Sequence, residues 1–253
     1  MKILILGGTG YIGSNFIANS SLSKISITSI AQKKSNSEFK NVKYIYEDYY
    51  RIENLNILIK ECDVIIHLIN STNPLTAENS LQYDIETNLI KSIRLFEMIP
   101  KGKHIIYFSS GGTVYGNQTQ FPISEDSKLL PINSYGIIKV ATENYLKLFS
   151  KKNQFHYTIV RPSNVFGKKR SFDDSHGIIE NTILNIVKNK TVKIWGDGCH
   201  IRDYLYIDDL ISFLDKIIYR KMFGIYNVGS GVGVSNIDLV KNIYSIMNED
   251  INV

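Results

Sequence analysis

Short apolar runs recur along the first two thirds of the chain. Each is followed by a longer stretch in which apolar residues return every three or four positions. Runs rich in β-branched residues predict strands at 2–6, 25–30, 42–46, 64–68, 104–109 and 157–161. The longer stretches predict helices at 11–19, 54–61, 81–98 and 135–150. Strand, helix and strand in repetition is the signature of right-handed βαβ crossovers and a parallel sheet. After Pro162 the rhythm loosens, with helices at 178–188, 208–219 and 236–247 among brief strands at 192–195 and 225–228. The pattern predicts an α/β fold: a doubly wound parallel sheet over residues 1–165 and a small substrate-binding module over residues 166–253. In such sheets ligands bind beyond the C-terminal ends of the strands. The active site is therefore expected between the two parts.

Composition narrows the picture by exclusion. With 43% hydrophobic and 21% charged residues and five prolines among 253, the chain is neither disordered nor low in complexity. Its two cysteines, Cys62 and Cys199, cannot build a disulfide framework. The five histidines show no ligand spacing, so no metal is expected. The opening run 2–6 reaches glycine after five residues, too soon for a secretory segment, and no window offers 18 apolar residues. A cytoplasmic location without membrane contact is expected. The net charge of +5 comes from scattered basic residues and short pairs such as Lys33-Lys34, a solvated surface and not a nucleic-acid patch. Heavy use of Ile, Lys, Asn and Tyr fits an AT-biased bacterial coding sequence.

The first chemistry lies right after the first strand, where Gly7, Gly10 and Gly13 open a helix that begins Tyr11-Ile12. One glycine allows a tight turn, the next lets backbone approach a pyrophosphate, and the third lets helix and strand pack closely. This strand–turn–helix context makes the segment a Rossmann-type dinucleotide loop. The second strand ends Ser29-Ile30-Ala31-Gln32-Lys33-Lys34. Ala31 stands where a carboxylate would grip the 2′-hydroxyl of NAD, while Lys33 suits a 2′-phosphate, so NADP(H) is favoured and NAD is the alternative. Asp48, after the third strand, is a candidate partner for the adenine amino group.

The second is Tyr135-Gly-Ile-Ile-Lys139, whose two side chains share a helix face one turn apart. A phenol is a poor base at neutral pH, and an adjacent ammonium favours its phenolate. With 16 tyrosines and 29 basic residues, random placement supplies about two such spacings, and Tyr157/Arg161 is another. The spacing needs context.

Context comes from a series of segments in order: 7–13; Asp63-Val-Ile-Ile-His-Leu68; Asn88; Phe108-Ser-Ser-Gly-Gly-Thr-Val-Tyr-Gly116; Tyr135/Lys139; Arg161-Pro-Ser-Asn-Val-Phe-Gly167; Gly196-Asp-Gly198 with Arg202-Asp-Tyr204; and Tyr226-Asn-Val-Gly-Ser-Gly231. Through these the whole chain resembles the extended short-chain dehydrogenase/reductases that act on nucleotide sugars, the group of UDP-glucose 4-epimerase and deoxysugar 4-keto reductases. The resemblance implies a Tyr135 acid/base and a Lys139 that binds the nicotinamide ribose and lowers the tyrosine pKa. Gly7, Gly10, Tyr11, Ile12, Gly13, Lys33, Asp48 and Leu68 would line the cofactor. Asn88 and Asn164 would lie near cofactor and substrate, and Arg202 would meet the substrate diphosphate, a match for a guanidinium fork. A homodimer through a helix bundle that includes the Tyr135 helix is implied as well.

Three departures matter. The family's catalytic Ser/Thr position is Gly111 here, leaving Ser110 or Thr113 to supply the hydroxyl, with Ser110 preferred. The Asp-Glu pair of 4,6-dehydratases is replaced by Gly112-Thr113, which argues against water elimination. The chain stops at Val253, tens of residues earlier than its relatives, so part of the substrate cap is expected to be absent.

His67 is expected to be a core or cofactor-lining histidine, and Trp195 to pack the cap or stack on a base. The functional expectation is an NADP-dependent reductase of the C4 ketone of a dTDP- or UDP-linked 4-keto-6-deoxyhexose, serving bacterial surface polysaccharide, as in O-antigen and lipopolysaccharide synthesis. The alternatives are an NAD-dependent 4-epimerase and a non-catalytic dinucleotide-binding regulator.

Overall fold

The structure is a computed structural model that describes residues 1–34, 38–168, 177–194 and 196–252. Seven strands form one parallel sheet: β1 (Lys2–Leu6), β2 (Ser26–Ala31), β3 (Val42–Tyr46), β4 (Val64–His67), β5 (His104–Phe108), β6 (His156–Pro162) and, after further elements, β9 (Gly224–Val228). Their order is β3-β2-β1-β4-β5-β6-β9, and every pairing is parallel. The chain runs outward from β1 to β3 and then returns to β4 on the other side. The crevice between β1 and β4 is thus the switch point at which a doubly wound sheet binds ligand. The Rossmann-type expectation holds.

Both faces of the sheet are covered, and period-two alternation sorts the strand residues between them. Leu4, Leu6, Ile65, Ile105, Tyr107 and Ile159 face one core with α2 (Leu55–Glu61), α5 (Lys91–Met98) and α6 (Ser134–Asn153). Ile3, Ile5, Ile66, Ile106, Phe108 and Val160 face the other, with α1 (Tyr11–Asn19) and α8 (Ile207–Arg220). Near-continuous apolar strands in the sequence mean burial on both sides.

The predicted helix at 81–98 is broken into α4 (Leu81–Asp84), a π-helical turn at Ile85–Ile90 and α5. A short α3 (Pro74–Asn79), capped by Asn73 and opened by Pro74, precedes it. Beyond residue 166 the chain crosses between layers. α8 and β9 belong to the large sheet, and a cut at residue 165 would divide that sheet. A second sheet has β7 (Asn164–Phe166) parallel to β8 (Ile201–Tyr206), with β10 (Gly233–Ser235) antiparallel on its other side. α7 (Ile178–Val187) and α9 (Asn236–Met247) share a small core of Ile186, Val192, Val240, Ile243 and Tyr244. The strand predicted at 192–195 does not form over its described residues. Instead Val192 packs into that core and its N–H donates to Asn252 O at 3.0 Å.

Two neighbouring elements are tied by a buried ion pair. Arg161 of β6 donates to Glu143 of α6 twice, Nε to Oε1 at 3.0 Å and Nη2 to Oε2 at 2.6 Å. Its Nη1 donates to the Tyr115 hydroxyl at 2.6 Å, and that hydroxyl donates to Asn227 of β9 at 2.7 Å. Removing one partner strands a buried charge, which costs about 3–5 kcal/mol. Glu143→Ala is therefore expected to lower the free energy of urea unfolding by about that amount. A loss below about 1 kcal/mol would show that the pair does not hold α6 to the sheet.

Candidate active site

Because the strands are parallel, the residues that follow β1, β4, β5 and β6 emerge along one edge. That single fact assembles the site. The turn after β1 brings Gly7 against Leu68 and Ile69, which follow β4. A Cβ on Gly7 would lie 3.2 Å from Ile69 N and 3.3 Å from Leu68 C. Gly13 of α1 packs on the same turn, where a Cβ would stand 2.6 Å from both Gly7 O and Gly8 Cα. Gly10 caps α1 with no side-chain bond, and its first turn carries no acidic residue. The N–H groups of Tyr11, Ile12 and Gly13 thus begin a helix whose positive end is unopposed, which fits a pyrophosphate. Thr9 Oγ1 donates to Lys33 O at 3.0 Å, drawing the turn after β2 onto this loop. Ala31 is buried at the end of β2.

The Tyr/Lys pair stands opposite. Asn133 caps α6, its side chain accepting from Gly136 N at 2.8 Å. Gly136 lets that first turn seat on the segment after β5, since a Cβ would lie 2.6 Å from Thr113 O and 2.9 Å from Pro131 Cβ. Lys139 is buried. Its Nζ donates to Phe108 O at 2.9 Å and lies 5.5 Å from the centre of the Tyr135 ring and 5.1 Å from that of Tyr107. An ammonium has three protons, so this bond leaves two for other acceptors.

The Tyr135 phenol is pushed up to about 12, first by burial and then by the Asp84 carboxylate. The Lys139 amine is itself drawn down to about 8 by burial, opposed by Glu143 and Asp84. Burial penalises the phenolate and the ammonium alike, so the neutral forms gain.

Of the candidate hydroxyls, Thr113 Oγ1 is buried with no partner among the described residues. Ser110 is half-buried and its carbonyl receives Val114 N. Ser109, not anticipated, likewise buries an unpartnered hydroxyl. Position 111 is cramped: a Cβ there would meet Pro162 O at 3.0 Å and Arg161 O at 3.1 Å.

Several expected ligands are committed inside the protein. Asn88 is buried in the π-helical turn, accepting from Ser71 N at 2.8 Å and donating to Thr72 Oγ1 and Asp84 Oδ1. It pins the loop after β4 and leaves no polar atom unbonded. Asp48 accepts from Tyr50 N and pairs with Lys91 Nζ, so both its carboxylate oxygens are engaged within the fold. Asn164 is exposed, its amide donating to Asp203 O at 3.0 Å. Arg202 is exposed on β8, and among the described residues its guanidinium donates to its neighbour's carbonyl alone. Asp203 is a hub that the sequence did not single out: it accepts from Ser163 Oγ, Ser230 N and Gly231 N, fixing the loop after β9. Trp195 lies outside the described residues.

The profile of the NAD dependent epimerase/dehydratase family matches residues 3–229. The chain belongs to that family. This family member is 32% identical to dTDP-4-dehydro-6-deoxyglucose reductase of Escherichia coli, over 98% of this chain and 82% of the relative. It is 27% identical to UDP-glucose 4-epimerase of Mycolicibacterium smegmatis, over 94% of this chain and 80% of the relative. Among solved structures, UDP-N-acetylglucosamine 4-epimerase of Methanobrevibacter ruminantium, in complex with UDP-N-acetylmuramic acid, matches with a TM-score of 0.90 at 25% identity. That match covers 100% of this chain and 84% of the other. The protein is an enzyme of the nucleotide-sugar epimerase and reductase type. Among the described residues no helix is long and apolar enough to cross a membrane.

His67 at the end of β4 is buried as expected. Its Nε2 lies 3.0 Å from Ser92 Oγ, and its Nδ1 has no partner among the described residues. Burial, with the Lys139 charge second, takes the imidazole from 6.5 to about 3. The unfolded chain takes up this proton near pH 6.5 and the folded chain does not. The stability due to neutral His67 is therefore complete above about 6.5 and is lost as pH falls toward 3. His67→Gln is expected to flatten that part of the curve of melting temperature against pH. Identical slopes in variant and wild type would refute it.

Proposed function

We propose that the protein reduces the C4 ketone of a nucleotide-linked 4-keto-6-deoxyhexose with NADPH. The observation that carries this reading is the Tyr135/Lys139 pair on the first turns of α6, with Lys139 Nζ 5.5 Å from the centre of the Tyr135 ring and bonded to Phe108 O at the end of β5. When bound, the reduced nicotinamide supplies the hydride. Tyr135 donates its proton to the C4 oxygen as the carbonyl becomes a hydroxyl, and Thr113 or Ser110 holds that oxygen by a hydrogen bond. Lys139 offers its remaining protons to the nicotinamide ribose and stabilises the phenolate left behind. Arg202, exposed on β8, takes the substrate diphosphate, and Asp203 keeps the adjoining loop in place. The small sheet with α7 and α9 forms the substrate side. The 32% identity to a dTDP-4-dehydro-6-deoxyglucose reductase supports the choice.

A second reading is supported by the 4-epimerases among the relatives. There Tyr135 would first accept the C4 hydroxyl proton and later return it, with no net redox change.

Purified protein is expected to oxidise NADPH stoichiometrically with a dTDP- or UDP-4-keto-6-deoxyhexose. Tyr135→Phe should cut kcat by about 10²–10⁴-fold with little change in cofactor affinity. Interconversion of UDP-glucose and UDP-galactose with tightly held cofactor would assign the epimerase instead. A Tyr135→Phe variant as active as wild type would refute both.

The cofactor choice rests on Ala31 and Lys33. Ala31→Asp places a carboxylate beside the 2′ position and is expected to weaken NADP by at least about tenfold relative to NAD. Fluorescence titration of both reduced cofactors measures this, and an unchanged ratio would remove the case for NADP.

A further inference from the structure

Parallel strands end on one edge of the sheet and start on the other. The starting edge lies away from the crevice and has no part in the proposed reaction. Its register is close: Val64 of β4 pairs with His104 of β5, and His104 with His156 of β6. The helices that feed these strands therefore end along one rim.

That rim is cationic. Lys101 and Lys103 precede β5, Lys151 and Lys152 lie in the last turn of α6, and Arg220 and Lys221 end α8 before β9. Among the described residues Glu97, in the last turn of α5, is the one acid on this stretch. Under β1, β2 and β4 the row goes on with Lys2, Lys24 and Lys60, against Glu61 and Asp63. Nine cations thus face three carboxylates, a surplus of six where the whole chain carries +5. The remainder of the chain has no positive surplus.

Cations at helix ends are ordinary, since they meet the partial negative charge of the last carbonyls. Lys103 does this: its Nζ donates to Lys60 O and Cys62 O at the end of α2, both at 2.6 Å. Others on the rim do not. Among the described residues the side chains of Lys101, Lys151, Arg220 and Lys221 are exposed and make no hydrogen bond or ion pair. The one ion pair among the described residues of the rim is Lys2–Glu61 at 3.8 Å, between exposed side chains, which contributes little. Like charges gathered without counter-charges repel one another, which costs stability until an anionic surface meets them.

Aromatic side chains stand among these cations. Tyr219, in the last turn of α8, is 80% exposed, and Phe223 after it is 41% exposed. Phe223 stacks on His156 at 4.2 Å between ring centres, and the two, with Phe155 and Tyr157, line a cleft of about 300 Å³ between the ends of α6 and α8.

We propose that this starting edge of the sheet is a docking surface for an anionic lipid bilayer, with Lys151, Lys152, Arg220 and Lys221 over the headgroups and Tyr219 and Phe223 at the interface. Each Lys or Arg near an acidic leaflet is attracted to it, and aromatic rings favour the headgroup level. A bilayer is flat, so it takes cations and exposed rings along one rim at once. Among the described residues no helix is long and apolar enough to cross a membrane, and this contact is of another kind. It is made by lysines far apart in the chain that only the folded sheet brings into one row. Docked this way, the protein turns its crevice, at the opposite edge, toward solvent.

The test is sedimentation of the intact protein with vesicles of phosphatidylcholine alone or mixed with an equal part of phosphatidylglycerol. Binding is expected to the acidic vesicles at low salt, and it should weaken as salt is raised. Lys151→Glu, Lys152→Glu, Arg220→Glu and Lys221→Glu together should lower the apparent affinity at least about a hundredfold. Lys188→Glu, Lys190→Glu, Lys193→Glu and Lys241→Glu, on the α7 and α9 side, match that variant in net charge. They should lower it by less than about threefold, because charges remote from the leaflet are screened. Tyr219→Ser keeps every charge and should weaken binding by about three- to tenfold. Absence of binding, equal binding to both kinds of vesicle, or an equal loss in the two sets of reversals overturns the proposal. So does tighter binding to poly(U) than to the acidic vesicles, which would make the edge a nucleic-acid surface. Should the first set of reversals fail to fold, Lys151→Gln with Arg220→Gln, beside Tyr219→Ser, decides the matter by the same readings.

Discussion

Charge buried under the edge of the sheet is the constraint around which this protein is arranged. Lys139 and Arg161 are 4% and 2% exposed, and Glu143 and Asp84 are 0% and 1%. Two cations and two anions thus share one dry layer, and their formal charges cancel. Taking any one of them out of water costs several kcal/mol unless partners replace the solvent. The fold answers unevenly. Arg161 and Glu143 meet in a fork with both oxygens used, which locks α6 to β6. Lys139 and Asp84 have no fork; each is held by neutral groups, Phe108 O in one case and Thr72, Asn88 and Ser134 in the other. The saturated pair bears on stability, and the unsaturated pair borders the chemistry.

The sheet decides what those charges can act upon. Parallel strands β1, β4, β5 and β6 end on the same side, so the glycine turn, the loop after β4, the hydroxyl segment 109–113 and the start of β7 face one crevice. The close approaches at Gly13 and Gly136 bring α1 and α6 to that crevice from the two faces of the sheet. One helix offers an unopposed positive end for phosphate, and the other a buried phenol and amine. The smaller sheet adds Arg202, and Asp203 binds β8 to the loop that follows β9.

Residue roles shift when this geometry is compared with the sequence pattern. Asn88, expected near cofactor and substrate, is bonded within the fold, its amide donating to the carboxylate four residues earlier on the same turn. Asp48, the candidate adenine partner, also pairs with Lys91. The Asp84–Asn88 spacing was a weak clue, since an acid and an amide at i and i+4 often meet on a helix. Nothing local suggested that Ser134, 50 residues away, would complete the set.

The order of strands and helices, the glycine turn, the absence of an acid at position 31 and the one-turn spacing of Tyr135 and Lys139 are all written in short stretches of sequence. They are legible there because strand period, helix period and turn geometry are local properties. The π-helical break in the predicted helix at 81–98, the small sheet and the return of α8 and β9 to the large one came only with the folded chain. The depth of the Tyr135/Lys139 pair came with it too: both side chains are buried, and burial opposes the phenolate and the ammonium alike. Depth below solvent and partners remote in sequence decide an ionisation, and neither is encoded in the pattern of a single helix.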